Sequence, residues 1–270
     1  MRLAIVIPWS DRPELATTLS RNAPSFAEVE AEVVVVNCGG DRAALDRMLR
    51  TAPSKVVRVH VPARRFNKPL ALNAGVLCSR APRLLFLDSD IVFAPGSLGR
   101  AASRVDERTF VTLDRIRESQ PPAAMELPEL REVSHWVHLV CGGKRIRLET
   151  NRVRPAEGSR SAPGIVFLER RHLLGVGGMN AELEGWGWED LDLLARLQLG
   201  LGLRHLRSGT GIHLTHDRGS TAGGQGARST EQGNFARCLV NYGLGNLQGT
   251  YRENARALRG RLRLRPFGGE

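Results

Sequence analysis

The sequence predicts an α/β fold organised around a mostly parallel central sheet flanked by helices. Three observations lead there. The first third of the chain alternates strand-like runs with helical stretches. Its first two runs are dominated by Val, Ile and Leu, the pattern of strands buried on both faces. Polar or glycine-bearing segments follow the runs, as at the ligand-binding edge of such sheets.

Leu3–Ile7 is a first strand that stops at Pro8. Asp11 is placed to cap a helix that carries Pro13 near its first turn and runs to about Arg21. Glu32–Val36 is a second strand, closed by Asn37-Cys38-Gly39-Gly40. Asp41–Arg50 is a helix with Ala44, Leu45, Met48 and Leu49 on one face. Val56–Val61 is a third strand and Lys68–Ser79 a helix. Arg83–Leu87 is a fourth strand that ends in Asp88-Ser89-Asp90. Units of this length imply right-handed crossovers between parallel strands. Residues 8–12, 37–40, 64–68 and 88–90 then converge on one crevice.

Further on, Ser119–Pro128 and Val153–Pro163 read as loops. Trp136–Thr150 reads as a hairpin turning at Gly142-Gly143. Gly164–Leu168 and Ile212–Leu214 read as strands, and Trp188–Leu199, Phe235–Tyr242 and Tyr251–Leu264 as helices. Asp217–Ser229 has four glycines in 13 residues. That composition suits a mobile loop, either plain surface or able to close over a ligand.

The 270 residues carry a net charge of +11, and all but three of the 39 basic residues are arginine. A basic surface favours anionic partners such as sugar nucleotides or lipid headgroups. Aromatic residues are only 5% and no nucleic-acid module is recognisable, which argues against nucleic acid. No apolar run approaches a membrane span. The N-terminus reads as a strand rather than a signal peptide. Four scattered cysteines with no CxxC pair fit a reducing, cytoplasmic setting.

Three clusters carry chemistry. In Asp88-Ser89-Asp90 a buried strand delivers two carboxylates, pointing the same way, to the sheet edge. Their repulsion is relieved by Mg²⁺ or Mn²⁺, with diphosphate oxygens in the open positions. Taken alone, the motif is equally a polar strand end. In Gly185-Trp186-Gly187-Trp188-Glu189-Asp190 a glycine-rich segment enters a helix with an acidic first turn. Those carboxylates either complement the helix dipole or present a general base beside an aromatic wall for a sugar. His213 and His216 can chelate one ion if the chain turns between them.

In their order, these clusters make the chain resemble metal-dependent glycosyltransferases of the GT-A (Rossmann-like) fold. It is similar to the bacterial family 2 enzymes and to the β-1,4-galactosyltransferase/chondroitin polymerase group. The resemblance also rests on Ile7-Pro8-Trp9-Ser10-Asp11-Arg12, on Arg65-Phe66-Asn67-Lys68 through Gly75, and on Gly177-Gly178-Met179-Asn180. It implies a single domain over 1–270. Residues 1–113 would bind the nucleotide. Residues 114–228 would carry the acceptor, catalytic and metal-binding parts, with a smaller acceptor-side sheet. Residues 229–270 would be C-terminal helices.

The implied activity is inverting transfer of a sugar, hexosyl or N-acetylhexosaminyl, from a nucleotide sugar to an acceptor hydroxyl. The donor would be UDP-linked, and the acceptor a glycan, glycolipid, peptide or small molecule. Pro8, Trp9, Arg12, Phe66, Asn67, Lys68, Asp88 and Ser89 would hold the donor nucleotide. Pro8 and Phe66 would flank its base, and Arg12 and Lys68 would meet phosphate or uracil oxygens. Asp90, His213 and His216 would hold Mn²⁺, with Mg²⁺ a weaker substitute. Asp190 would be the general base and Glu189 would orient the acceptor. Trp186, Gly187 and Trp188 would line the sugar site, Trp188 being equally a packing residue. The chain departs from the galactosyltransferases where Trp188 replaces a glycine directly before Glu189, so an N-acetylglucosamine acceptor is not carried over.

Two rivals remain at this level: a nucleotidyltransferase, and a sugar-nucleotide-binding module without turnover. The basic stretch Tyr251–Arg265, with Ala255, Leu258 and Leu262 at helical spacing, reads either as a helix packed on the domain or as a peripheral contact with anionic membrane.

Overall fold

The computed structural model describes residues 2–120, 130–216 and 225–267, with side chains from residue 230 in the last span. The Ser119–Pro128 loop and the glycine-rich Asp217–Ser229 segment lie largely outside it. The chain runs β1 (Leu3–Trp9), α1 (Glu14–Glu28), β2 (Ala31–Cys38), α2 (Arg42–Arg50), β3 (Val56–Val61), α3 (Lys68–Leu77), β4 (Arg83–Phe86) and β5 (Ile91–Phe93). It continues through α4 (Ser97–Ser103), β6 (Thr109–Glu118), β7 (Val133–Cys141), β8 (Lys144–Arg154), β9 (Ser159–Glu169), α5 (Arg170–Gly175) and α6 (Glu189–Leu201). It closes with β10 (Arg204–Arg207), β11 (Thr210–His213), α7 (Gln225–Gly243), α8 (Tyr251–Leu258) and β12 (Arg263–Phe267).

The strands form one sheet of order β12-β3-β2-β1-β4-β9-β6-β11-β5. The strands β3, β2, β1 and β4 are mutually parallel. The second half of the sheet is mixed and not a separate sheet: β9 runs antiparallel to both β4 and β6 and is continuous with the parallel half. The β7–β8 hairpin turns at Gly142-Gly143 and joins through β9.

The apolar strands serve two cores because successive side chains point to opposite faces. Ala4, Val6, Val34 and Val36 pack with α3 and α6 on one face. Leu3, Ile5, Ile7, Val33 and Val35 pack with α1, α2 and α4 on the other. Gly75 lets α3 lie against β1: a Cβ there would overlap the Val6 side chain and crowd Val36 Cγ2 at 3.0 Å.

Four local expectations are corrected. Asp11 does not cap α1; at φ 52° it turns away, and its Oδ1 accepts from the Asp41 amide. The helix itself runs past Arg21 and through Pro24 to Glu28, because Phe26 docks in the core. Val153–Pro163 is mainly strand: Ser161 accepts from the Arg152 amide and Arg160 pairs with Glu118, so its polar side chains are spent between strands. Finally, the Tyr251–Leu264 helix stops at Leu258. Gly260 takes φ 71°, and residues 263–267 add to the edge of β3 as an antiparallel strand. Phe267 is buried there and Arg265 reaches Asp46. A continuous amphipathic helix for membrane docking is therefore absent from this stretch.

We expect Gly75→Ala to destabilise the protein by about 1–3 kcal/mol despite alanine's higher helix propensity, because the added methyl overpacks a filled interface. Val6→Ala in the same chain should restore part of the loss in urea unfolding.

Candidate active site

The ends of β1 and β4, the N-termini of α3 and α6 and the end of β11 meet at one edge of the sheet. Two clusters form there.

The first is Asp90 with His213 and His216. Strand pairing brings them together: β11 lies antiparallel to β5, with His213 opposite Ile91, and parallel to β6, with His213 opposite Glu118. The Leu214 amide then donates to the Asp90 carbonyl. The chain leaves the strand after His213 and turns His216 back. Its Nε2 lies 3.2 Å from Asp90 Oδ2, and His213 Nε2 lies 3.5 Å from the same oxygen. One ligand atom from each residue falls within 4.8 Å of the others. On the far side of the site, Thr18 donates to the Ser89 carbonyl, and Asn22 bonds the Ile91 carbonyl and the Phe93 amide, so α1 fixes the segment that carries Asp90.

A carboxylate oxygen and two imidazole nitrogens converging in this way are a donor set that fits a divalent first-row cation. His213 Nδ1 contacts Glu118 Oε2 at 2.5 Å. Burial disfavours the His213 imidazolium, but hydrogen bonds and charge from Asp90 and Glu118 prevail and raise its pKa. Burial likewise opposes Asp90 ionisation, and the two histidines outweigh it and hold the carboxyl below its ordinary range. Arg12 Nη1 lies 3.0 Å from His216 Nδ1. A guanidinium can only donate, so this Nδ1 is an acceptor and Nε2 carries the hydrogen directed at Asp90.

The second cluster surrounds Lys68. Its Nζ donates to Asp88 Oδ1 at 2.8 Å and to Asp190 Oδ2 at 2.9 Å. Its side chain is 12% exposed. Lys68 is thus engaged by two carboxylates, at the same edge where its contact with phosphate or uracil oxygens is expected. Burial alone would lower its pKa; Asp190, Asp88 and Glu189 overcome this and hold it well above the ordinary lysine value. Burial raises the Asp88 carboxyl, with Asp190 and Asp90 adding to the effect against the pull of Lys68. Glu189, buried at the first turn of α6, is pushed up to about 7 by desolvation and then by Asp190. Gly164 on β9 makes room for the pair: a Cβ there would sit 2.5 Å from Asp190 Oδ2 and 3.1 Å from Lys68 Nζ.

The other expected donor and sugar residues divide. Phe66 is 40% exposed and Trp186 is 58% exposed. Trp9 is 1% exposed and gives its indole N–H to the Arg12 carbonyl, so its ring packs the core instead of meeting a nucleotide. Pro8 and Ser89 are also buried. Asn67 caps α3 through the Leu70 amide and donates to the Ala181 carbonyl, which ties the helix start to the loop before α6. Gly187 takes φ 99° and its carbonyl accepts from Asn234. Trp188 holds φ 69° and stacks on Phe235 at 4.2 Å between centroids. Its ring is a packing element that fastens the loop to α7.

Glu118 and Gly164 belong to the site and escape sequence reading. Each acts through strand register, and neither stands in a recognisable motif.

The profile of glycosyl transferase family 2 matches residues 5–163. The chain belongs to this family. A profile described as the N-terminal domain of galactosyltransferase matches residues 147–217, the stretch with Glu189, Asp190 and both histidines. No curated protein matches the chain. Among solved structures, the mannosyltransferase PcManGT from Pyrobaculum calidifontis, in complex with GDP-Man and Mn²⁺, aligns with a TM-score of 0.55 and 15% identity over 96% of this chain and 75% of that one. GalNAc-T7 with UDP, GalNAc and Mn²⁺ aligns at 0.59 and 15% identity, over 88% of this chain and 48% of that one. TarS of S. aureus aligns at 0.54 and 13%, over 96% and 42%. At these identities the likeness is one of fold, and the fold of this glycosyltransferase is GT-A.

Glu189 gives a pH test. Its folded pKa lies near 7, against an ordinary 4.5. Between those values the folded state holds a proton that the unfolded state has lost. Stability is therefore fully present below about pH 4.5 and falls as pH rises through 7, by roughly 3 kcal/mol at most. In metal-free thermal unfolding, Glu189→Gln should flatten that decline. Lys68→Met leaves the carboxylates without their buried counter-ion and should cost about 3–5 kcal/mol, measured by urea unfolding at pH 7.5.

Proposed function

We propose that this enzyme is a metal-dependent, inverting glycosyltransferase that moves a sugar from a UDP-sugar to an acceptor hydroxyl. The observation that carries the reading is the placement of the Asp90–His213–His216 cluster and the Lys68–Asp190 pair at one sheet edge, on a family 2 chain. The Mn²⁺ named with two of the structural relatives supports the cation.

Asp90, His213 and His216 would hold the cation, which supplies positive charge to the departing diphosphate. With His216 Nε2 among the ligands, its ring hydrogen would sit on Nδ1, and Arg12 would meet phosphate oxygens instead of that nitrogen. Phe66 offers its exposed face to the base. Asp88 stands beside Asp90 and accepts from ribose or sugar hydroxyls.

Asp190 is the general base. Lys68 occupies one of its oxygens, and among the described residues the other accepts no hydrogen bond. That free oxygen takes the acceptor proton as the hydroxyl attacks the anomeric carbon from the face opposite the diphosphate. Glu189 orients the acceptor and Trp186 forms the wall where the two sugars meet. Family membership favours this reading over a nucleotidyltransferase or a module without turnover. The GDP-Man of one relative makes a guanine-linked donor the main alternative to UDP.

A panel of nucleotide sugars, read by mass spectrometry for metal-dependent release of the nucleoside diphosphate, tests donor and turnover together. Asp190→Asn should lower transfer by about 10²–10⁴-fold while Mn²⁺-dependent stabilisation by UDP persists. His216→Ala should remove that stabilisation, and His205→Ala should not. Full activity in EDTA would remove the metal from the mechanism.

A further inference from the structure

The two candidate imidazole ligands are set in opposite senses. His216 turns Nδ1 to a guanidinium, as an acceptor. His213 turns Nδ1 to a carboxylate, Glu118 Oε2, at 2.5 Å. A neutral ring in that position donates from Nδ1, which leaves the Nε2 lone pair free, and this Nε2 lies 3.5 Å from Asp90 Oδ2.

Glu118 is itself held from several directions. Its Oε1 accepts from Arg160 Nε on β9 at 3.2 Å. Its Oε2 also accepts from the Thr215 hydroxyl at 3.2 Å. The Thr215 amide donates to the Ser119 hydroxyl, and the Ser119 amide to the His213 carbonyl. The carboxylate and the ring thus sit in a closed loop of hydrogen bonds across the ends of β6, β9 and β11, where rotation of either breaks several contacts.

We propose that Glu118 is a positioning residue for the cation site: it fixes the tautomer and plane of His213 so that Nε2 faces the cation before any ligand arrives. The inference rests on the metal reading above. A carboxylate behind a ligating imidazole orients the ring and raises its basicity, and its loss typically weakens metal binding by about 10–100-fold.

The test is Mn²⁺ titration in the presence of UDP, with free Mn²⁺ read by its paramagnetic resonance signal, on the full chain and on Glu118→Ala, Glu118→Gln and Asp90→Ala. The expected result is a loss of about 10–100-fold for Glu118→Ala and a much smaller loss for Glu118→Gln, whose amide oxygen still accepts from Nδ1. Asp90→Ala should abolish binding. If Asp90→Ala abolishes binding and Glu118→Ala binds as the unaltered protein does, with only its thermal midpoint lowered, Glu118 is merely structural and the inference falls. If Asp90→Ala also binds normally, the metal reading fails and takes this inference with it. A second measurement needs no variant. In the ¹⁵N-labelled protein loaded with ¹¹³Cd²⁺ and UDP, the metal coupling of His213 should fall on Nε2, with Nδ1 protonated. Coupling on Nδ1 overturns the inference even if Glu118→Ala does not fold.

Discussion

One ammonium group sets the charge balance of this site and ties three of its elements together. Lys68 begins a helix of the parallel half, and its Nζ joins Asp88, at the end of β4, to Asp190, at the start of α6. Without it, Asp88, Glu189 and Asp190 would face one another with no counter-ion between them, in partly buried surroundings that strengthen their repulsion. The position of Lys68 is in turn secured from below. Asn67 caps the helix, Gly75 seats it on β1, and Asn73 bonds both the amide and the carbonyl of Met179 in the loop that leads to α6. A single helix therefore carries a cap, a charge and a clasp, with contacts to Ala181, Asp190 and Met179 on the segment that leads into and begins α6.

Much of this was legible in the order of residues, and the rest was hidden for definable reasons. The strands of the first third could be read because β1 and β2 are near-continuous apolar runs and β3 alternates. Asp88-Ser89-Asp90 and the His213/His216 pair could be read because their spacing is local. Lys68 was legible as a polar residue near the donor, but its partners come from segments distant in sequence, and only packing brings them within reach. Glu118 had no motif around it; its meaning comes from a parallel register with β11 that no local pattern encodes. Trp9 misled in the other direction. It stands at a strand end, where ligands bind, yet the alternation of β1 turns its ring inward. The tail misled because Ala255, Leu258 and Leu262 keep helical spacing across Gly260, where the backbone in fact reverses.

Strain and order are distributed unevenly around the site. Trp188 adopts a left-handed conformation that costs a side-chain-bearing residue roughly 1–2 kcal/mol. Its stack on Phe235 offsets this and ties the loop before α6 to α7, as do the bonds from Asn234 to the Glu184 and Gly187 carbonyls. Behind α6, Arg196 pairs with Asp192 and donates to the Val176 and Gly178 carbonyls, while Tyr242 completes the Asp192 contacts. The first turn of α6 is thus braced from both sides, and the exposed Trp186 stands on a loop whose ends are fixed.

The return of β12 to β3 has a consequence for how the molecule is made. On a ribosome, the parallel half emerges first and presents β3 as an open edge, a row of unpaired amides and carbonyls able to recruit another chain. The strand that covers it lies at residues 263–267, some two hundred positions later. Throughout that interval the open edge of β3 is exposed to mispairing. Once β12 arrives, with Pro266 in it and arginines at 263 and 265, the finished edge is a poor template for any further strand.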